Sequence, residues 1–392
     1  MKSKKSLVYP WQPQEEKRYK LIKFENDNIL KTTRGILTDY SSLSFHSSFG
    51  FNNRVIANEM KNQINHSLLT FSKFEQQFQT QRANELLDLL ELEGHIFFTQ
   101  GGADSVEHAL KISRESNQRK VILSRRKSYH GASLGALQIT GDHRRNVFFL
   151  PKSGHHWIPE PKDDPDFSKT LSIIHKIGAN NISGICLESI TAKNGVYILP
   201  ATWIDGLRQI QSKYKINIIF DEVVCGFYRT LKPFGFHHYE IKPDIVCMGK
   251  AISNGMAPLG AVYFSPKIMK CFNSTPFKTG HTNYGHPISL AALKGVLKYV
   301  KQKSFKNKIE TNSKILKDWI KDIEPFIAES RGTGFLYALD LKSSISHNVF
   351  YENGISIVLN ESTLILCPTI SLTKQKLIKD LSLLFNVIRR YS

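Results

Sequence analysis

The sequence predicts an α/β fold, with a mainly parallel central sheet covered by helices in a large domain and a smaller α+β domain at the C-terminus. Three observations predict it. From about residue 95 to 265, short apolar runs alternate with stretches of helical periodicity. Two of those runs lead into a polar residue of chemical interest, Asp221 and Lys250, and open α/β sheets bind ligands at the carboxyl ends of their strands. Beyond His286-Pro287 the pattern changes to one long helical stretch and then to new strand-like runs.

The elements follow in order. His95–Thr99 reads as a strand, after which Val106, Ala109, Leu110 and Ile112 fall at helical spacing. Val121–Leu123, Ile185–Leu187, Ile216–Phe220 and Ile245–Met248 read as further buried strands, with Trp203–Ile210 a helix between two of them. Leu290, Leu293, Val296, Leu297 and Val300 mark the long helix. Strand-like runs lie near 335–341, 354–359 and 363–367, and a last helix covers roughly 373–390. The first 45 or so residues are polar and aromatic and are expected to drape over the body. The expected division is an N-terminal segment, 1–50, packing with the small domain; a large domain, 51–288; and a small domain, 289–392. There is no internal repeat or low-complexity linker.

Composition narrows the class. A chain of 392 residues with 41% hydrophobic and 22% charged residues is an ordinary globular protein with a sizeable core. No apolar run approaches the ~18–20 residues that span a bilayer. The basic start, residues 1–6, is not followed by an apolar stretch, so no membrane partner and a cytoplasmic location are expected. Cys186, Cys225, Cys247, Cys271 and Cys367 are scattered and odd in number. Reduced thiols are expected from them, and no metal. The net charge of +19 is spread along the chain without a nucleic-acid motif, so nucleic acid is not expected as a partner.

Chemistry concentrates in four places. An amine at Lys250 and a carboxylate at Asp221, both at strand ends, suit pyridoxal phosphate (PLP). The amine can join the cofactor's aldehyde as a Schiff base, and the carboxylate can keep its ring nitrogen protonated. Thr99-Gln100-Gly101-Gly102-Ala103-Asp104-Ser105 joins a strand to a helix, where glycines let backbone N–H groups approach an anion. A plain turn capped by Asp104 or Ser105 is the alternative. Tyr129, in Ser128-Tyr129-His130-Gly131, could lie flat on a cofactor ring. Thr282, in the polar loop Gly280–Pro287, could donate to a phosphate.

In this order, with Glu188, Gly195 and Pro200, the run from Asp221 to Thr230, Gly249-Lys250-Ala251 and a late Arg331-Gly332-Thr333-Gly334, the motifs resemble the class III, or omega-type, PLP-dependent aminotransferases. The resemblance covers nearly the whole chain. It implies PLP-dependent transferase fold type I and a homodimer with active sites at the subunit interface. Lys250 would carry the cofactor, Asp221 would meet its ring nitrogen and Tyr129 would cover the ring. Gly102 and Ala103 would cradle the phosphate, with Thr282 reaching it from the neighbouring subunit. Glu188 would sit near the cofactor and gate the substrate side, while Glu222 and Arg229 would be supporting residues. The substrate pocket is expected to draw on Trp11, Phe45, Tyr228 and Arg331.

Two departures stand out. Ala103 replaces a common serine, a loss of one hydrogen bond worth about 1 kcal/mol that backbone donors could offset. Many relatives carry a carboxylate-binding arginine in the stretches that correspond here to Ile355–Leu359 and Leu364–Thr369, and neither contains one. Arg331 could substitute, although its setting reads as a structural turn. The start Val8-Tyr9-Pro10-Trp11 looks like members acting on omega-amines, taurine or the diamino-acid step of biotin synthesis. An aminotransferase acting on an amine remote from a carboxylate is therefore expected, with small-molecule amine and carbonyl substrates or a carrier-tethered one. The alternatives are an aminomutase working on one skeleton and a non-catalytic binding protein of the same fold.

Overall fold

The computed structural model describes residues 7–11, 19–147 and 149–391. The expected N-terminal segment therefore lies partly outside the described residues, as does the whole basic start. Among the described residues, fifteen strands form three sheets. In chain order they are β1 (Leu21–Glu25), β2 (Ile29–Thr32), β3 (Gly35–Asp39), β4 (His95–Thr99), β5 (Val121–Arg125), β6 (His155–Ile158), β7 (Ile182–Glu188), β8 (Asn217–Asp221), β9 (Ile245–Met248), β10 (Gly260–Phe264), β11 (Ile327–Thr333), β12 (Leu336–Leu341), β13 (Ile355–Ser356), β14 (Val358–Asn360) and β15 (Thr363–Leu366).

The central sheet has the order β4-β10-β9-β8-β7-β5-β6. Its β9-β8-β7-β5-β6 part is parallel, and β10 runs antiparallel between β9 and β4. Each residue of β7, β8, β9 and β10 is buried. Strands covered on both faces lose the polar alternation of a surface strand, which is why these read as continuous apolar runs. Helices Gly102–Asn117 and Ala201–Tyr214 each bury one stripe, including Val106, Ala109 and Leu110 on the first and Trp203, Leu207 and Ile210 on the second.

Beyond the long helix Pro287–Val300, a fully antiparallel sheet of order β11-β12-β15-β14 forms, accompanied by helices Lys303–Ile323 and Lys374–Tyr391. The N-terminal strands join a third sheet, β1-β2-β3-β13, in which β3 pairs in parallel with β13 from the C-terminal region. The five cysteines form no disulfide; Cys271 is exposed and the other four are buried. Among the described residues no helix is long and apolar enough to cross a membrane.

Candidate active site

Strands β7 and β8 end side by side, with Glu188 and Asp221 as register partners. The polypeptide leaves both strands there, and a cavity of about 720 Å³ opens over the ends. Lys250, Asp221, Glu188, Tyr129, Gly102 and Ala103 all line it. Lys250 follows β9 on a single 3₁₀ turn, Lys250–Ile252, with φ of +47°. An L-residue in the left-handed region costs on the order of 1–2 kcal/mol, so the surrounding packing must hold this lysine in place.

Asp221 is 5% exposed. Its Oδ2 lies 2.8 Å from His130 Nδ1, and its Oδ1 accepts from the Val223 N–H at 3.1 Å. Burial works against a charge on His130. The neighbouring Cys186 sulfur and the Asp221 carboxylate together hold its pKa well above the ordinary histidine value. Burial lowers the Lys250 amine from its usual range, although Asp221 and Glu188 pull the other way. Burial raises Glu188, whose carboxylate accepts from the N–H groups of Tyr129 at 3.2 Å and Ala192 at 3.0 Å. Glu188 thus ties the Tyr129 loop to the chain leaving β7.

The floor is built by close backbone approach. A Cβ on Gly102, the first residue of its helix, would stand 2.7 Å from Val223, and a Cβ on Gly131 would stand 2.6 Å from that of Ala103. Only glycine lets the helix N-terminus close on the chain after β8 at the first point and on the Tyr129 loop at the second. From above, Ser42, Leu43, Ser44 and Phe45 form a turn with four successive positive φ angles, 48°, 51°, 58° and 76°. Ser44 and Phe45 line the cavity, and the Phe45 ring centre is 6.0 Å from Lys250 Nζ.

This strained turn has identifiable supports. Asp39 accepts from Ser41 N–H at 3.0 Å and Leu43 N–H at 2.7 Å. Arg229, fully buried, donates to Ser42 Oγ at 3.1 Å, Ser48 Oγ at 2.7 Å and the Pro368 carbonyl at 2.6 Å. Glu222 accepts from Gly235 and Phe236 N–H groups, each at 2.7 Å, and burial pushes it up to about 7.

Trp11 and Phe45 line the cavity, whereas Tyr228 and Arg331, expected in the substrate pocket, do not. Tyr228 packs edge-on against Phe305, with ring centres 5.5 Å apart. Arg331 Nη1 and Nη2 bind Asp340 at 2.6 and 3.0 Å, Nη1 also meets Glu329 at 2.8 Å, and Nε donates to the Gly195 carbonyl at 2.8 Å. With its donors committed across the β11–β12 hairpin, Arg331 holds strands rather than substrate. Thr282 is exposed and does not line this cavity.

The cavity also holds cations that sequence reading missed. Arg144 and Lys193 line it, as does His143. The Arg144 guanidinium lies 3.4 Å from the centre of the Tyr129 ring, and its Nε binds Asp142 Oδ2 at 3.0 Å. Burial and the nearby Arg144 lower the Lys193 pKa. Arg144 sits in Gly141-Asp142-His143-Arg144-Arg145-Asn146, where no local pattern separates it from the next arginine. His130 was legible only as part of Tyr-His-Gly, with no hint of its bond to Asp221.

The sequence matches the family model for aminotransferase class-III over residues 29–388. The chain belongs to the class-III aminotransferases. It is 32% identical over 296 residues to gamma aminobutyrate transaminase 3, chloroplastic, of Solanum lycopersicum, covering 68% of this chain and 57% of that protein. It is 29% identical over 292 residues to the putrescine–pyruvate aminotransferase of Pseudomonas aeruginosa, covering 68% and 64%. The chain thus aligns with about three fifths of the length of these curated relatives. Its structure superposes on the taurine:2-oxoglutarate aminotransferase of Bifidobacterium kashiwanohense with a TM-score of 0.89 and 26% identity, over 97% of this chain and 95% of that one. The fold is that of the PLP-dependent transferases, fold type I.

The site suits PLP on its own terms. Gly102 and Ala103 line the cavity at the N-terminus of a helix, where backbone N–H groups suit a phosphate. His130 Nε2 is buried without a hydrogen-bond partner, a polar atom for which a bound group can compensate.

Proposed function

We propose that this protein is a PLP-dependent aminotransferase that moves an amino group from an amine or omega-amino acid to a carbonyl acceptor in a ping-pong reaction. The observation that carries this reading is the grouping of the Lys250 amine, the Asp221–His130 pair and the Gly102 helix N-terminus in one cavity. PLP, when bound, supplies an aldehyde that captures amines and a ring that takes up the electrons left by a departing proton.

The chain's own residues do the rest. Lys250 Nζ would hold the aldehyde end of the cofactor. With its pKa lowered by burial, Nζ can accept a proton from the substrate's amine-bearing carbon and return it. Asp221, braced by His130, presents negative charge to the ring nitrogen. Backbone N–H groups at Gly102 and Ala103 would hold the phosphate and Tyr129 would cover the ring, while Glu188 fixes the Tyr129 loop on the substrate side. Phe45 and Trp11 bound the pocket, and Arg144 and Lys193 face an acidic group on the substrate. The relatives' names include gamma-aminobutyrate, putrescine with pyruvate, and taurine with 2-oxoglutarate, which supports small amines and oxo acids as the substrate class.

The reading includes a homodimer in which the partner subunit's Thr282 reaches the phosphate, in keeping with its exposure away from its own cavity. It also includes a cytoplasmic location, where five unpaired cysteines stay reduced. The division into 1–50, 51–288 and 289–392 belongs to the same proposal.

The test is a panel of amines and omega-amino acids offered with pyruvate or 2-oxoglutarate. Wild type should transfer the amino group, and Lys250→Ala should lose about 10³-fold or more of that activity, together with the visible band of the lysine-bound cofactor. Wild-type turnover in Lys250→Ala would overturn the mechanism. Turnover without any acceptor would point to an aminomutase.

A further inference from the structure

Outside the cavity, three side chains from two distant parts of the chain converge on one point. Asp104 and His108 stand one turn apart on helix Gly102–Asn117, and His281 comes from the loop before the Pro287–Val300 helix. His108 Nε2 lies 2.8 Å from His281 Nε2. The Asp104 carboxylate faces both imidazoles, with Oδ1 3.4 Å from His108 Nε2 and Oδ2 3.0 Å from His281 Nε2. These three residues each offer a ligand atom to a shared centre.

We propose that Asp104, His108 and His281 bind a divalent metal ion of the zinc class. Zinc–ligand bonds of about 2.0–2.1 Å in a tetrahedron place neighbouring ligand atoms about 3.3 Å apart. The two imidazole nitrogens stand within about 0.5 Å of that value, and each has one Asp104 oxygen within about 0.3 Å of it, Oδ1 for His108 and Oδ2 for His281. Two imidazoles and a carboxylate are an ordinary ligand set for such an ion, with a fourth position left for water. The side chains of Asp104 and His281 are 28% and 22% exposed, so water can reach the centre, whereas His108 is 7% exposed and fixed from behind.

The surroundings resemble an outer shell. His108 Nδ1 lies 2.7 Å from Thr279 Oγ1. Lys111 Nζ, which can only donate, occupies that oxygen from the other side at 2.9 Å. Thr279 Oγ1 keeps a second lone pair, and accepting the Nδ1 proton with it turns the Nε2 lone pair of His108 to the centre. Metal-bound histidines are typically oriented by such a partner on the second nitrogen. Asp104 Oδ2 is held by the Gln100 N–H at 2.8 Å. Phe97 packs against both rings, with centroids 4.9 Å from His108 and 6.1 Å from His281. An ion here would pin the loop that carries Thr282 to the helix whose first residues form the phosphate cradle. No local spacing marks this site, because His281 is far from the other two in the chain.

The experiment uses the PLP-loaded protein, stripped of metal with a chelator and separated from it. Zinc is titrated against a chromophoric competitor, with metal content measured after gel filtration. One zinc per chain is expected. His281→Gln and Asp104→Asn should each weaken binding by about 100-fold, and Thr279→Val by about 10-fold. Thermal unfolding of the metal-free variants checks that each is folded. The proposal fails if wild type retains no stoichiometric zinc, which would leave the cluster as a hydrogen-bonded network. It also fails if folded His281→Gln and Asp104→Asn bind as wild type does.

Discussion

Arg144 shows at the scale of one residue what a sequence hides. The missing arginine near Val358 and Ile365 is a property of local sequence and could be read directly. The presence of Arg144 in the cavity could not, because Arg144 owes its place to Tyr129 and Asp142, and only the former lies across a loop from it. Lys250 and Asp221 were legible for the opposite reason: each follows an apolar run whose burial the sequence states. Arg331 was misplaced because its carboxylate partner, Asp340, lies across a hairpin whose register the sequence leaves open. If Arg144 holds the acidic group of the substrate, Arg144→Gln should raise the KM for an oxo-acid acceptor about 10- to 100-fold, as expected from losing one charge-assisted hydrogen bond. The KM for a neutral amine donor should change little. Equal losses for both substrates in steady-state kinetics would instead mark a structural role.

At the scale of elements, the parallel strands β5, β7, β8 and β9 and the helix Gly102–Asn117 were readable because period and burial agree there, whereas the parallel edge strand β6 was not read. β10 was not read, although all of its residues are buried, because a short apolar run does not reveal its direction or neighbours. The left-handed turn at Ser42–Phe45 contradicts local preference and exists through Asp39 and Arg229, the latter far along the chain. Glu222 makes a comparable connection from the end of β8 to the Gly235–Phe236 backbone. Its folded pKa, about 7, lies above the ordinary 4.5. Between those values the folded state keeps a proton that the unfolded state has released. The Glu222 contribution is therefore fully present below about pH 4.5 and is lost as pH rises through about 7, by on the order of 3 kcal/mol. Urea unfolding at several pH values should show this decline, and Glu222→Gln should flatten it. An unchanged slope in that variant would remove Glu222 as its source.

For the whole molecule, the pairing of β3 with β13 joins the two ends of the chain, and Arg229 binds residues near Ser42 to Pro368 beside the cavity. The proposed dimer extends this logic beyond one chain. Thr282→Ala should weaken cofactor binding by about 5-fold, the equivalent of about 1 kcal/mol for a hydrogen bond, while leaving the unfolding temperature unchanged. Equilibrium dialysis and thermal unfolding measure the two effects, and unaltered cofactor affinity would exclude the partner subunit's Thr282 from the phosphate site. By itself the sequence determined the α/β class, the strand ends that carry Asp221 and Lys250, and the family, because these depend on local periodicity and on ordered motifs. Only the tertiary structure decided that Arg331 is locked in a hairpin, that Arg144 and Lys193 enter the cavity, that Phe45 stands on a left-handed turn, and that His281 meets Asp104 and His108. Each of those depends on distant residues brought together by packing, and no local pattern encodes such meetings.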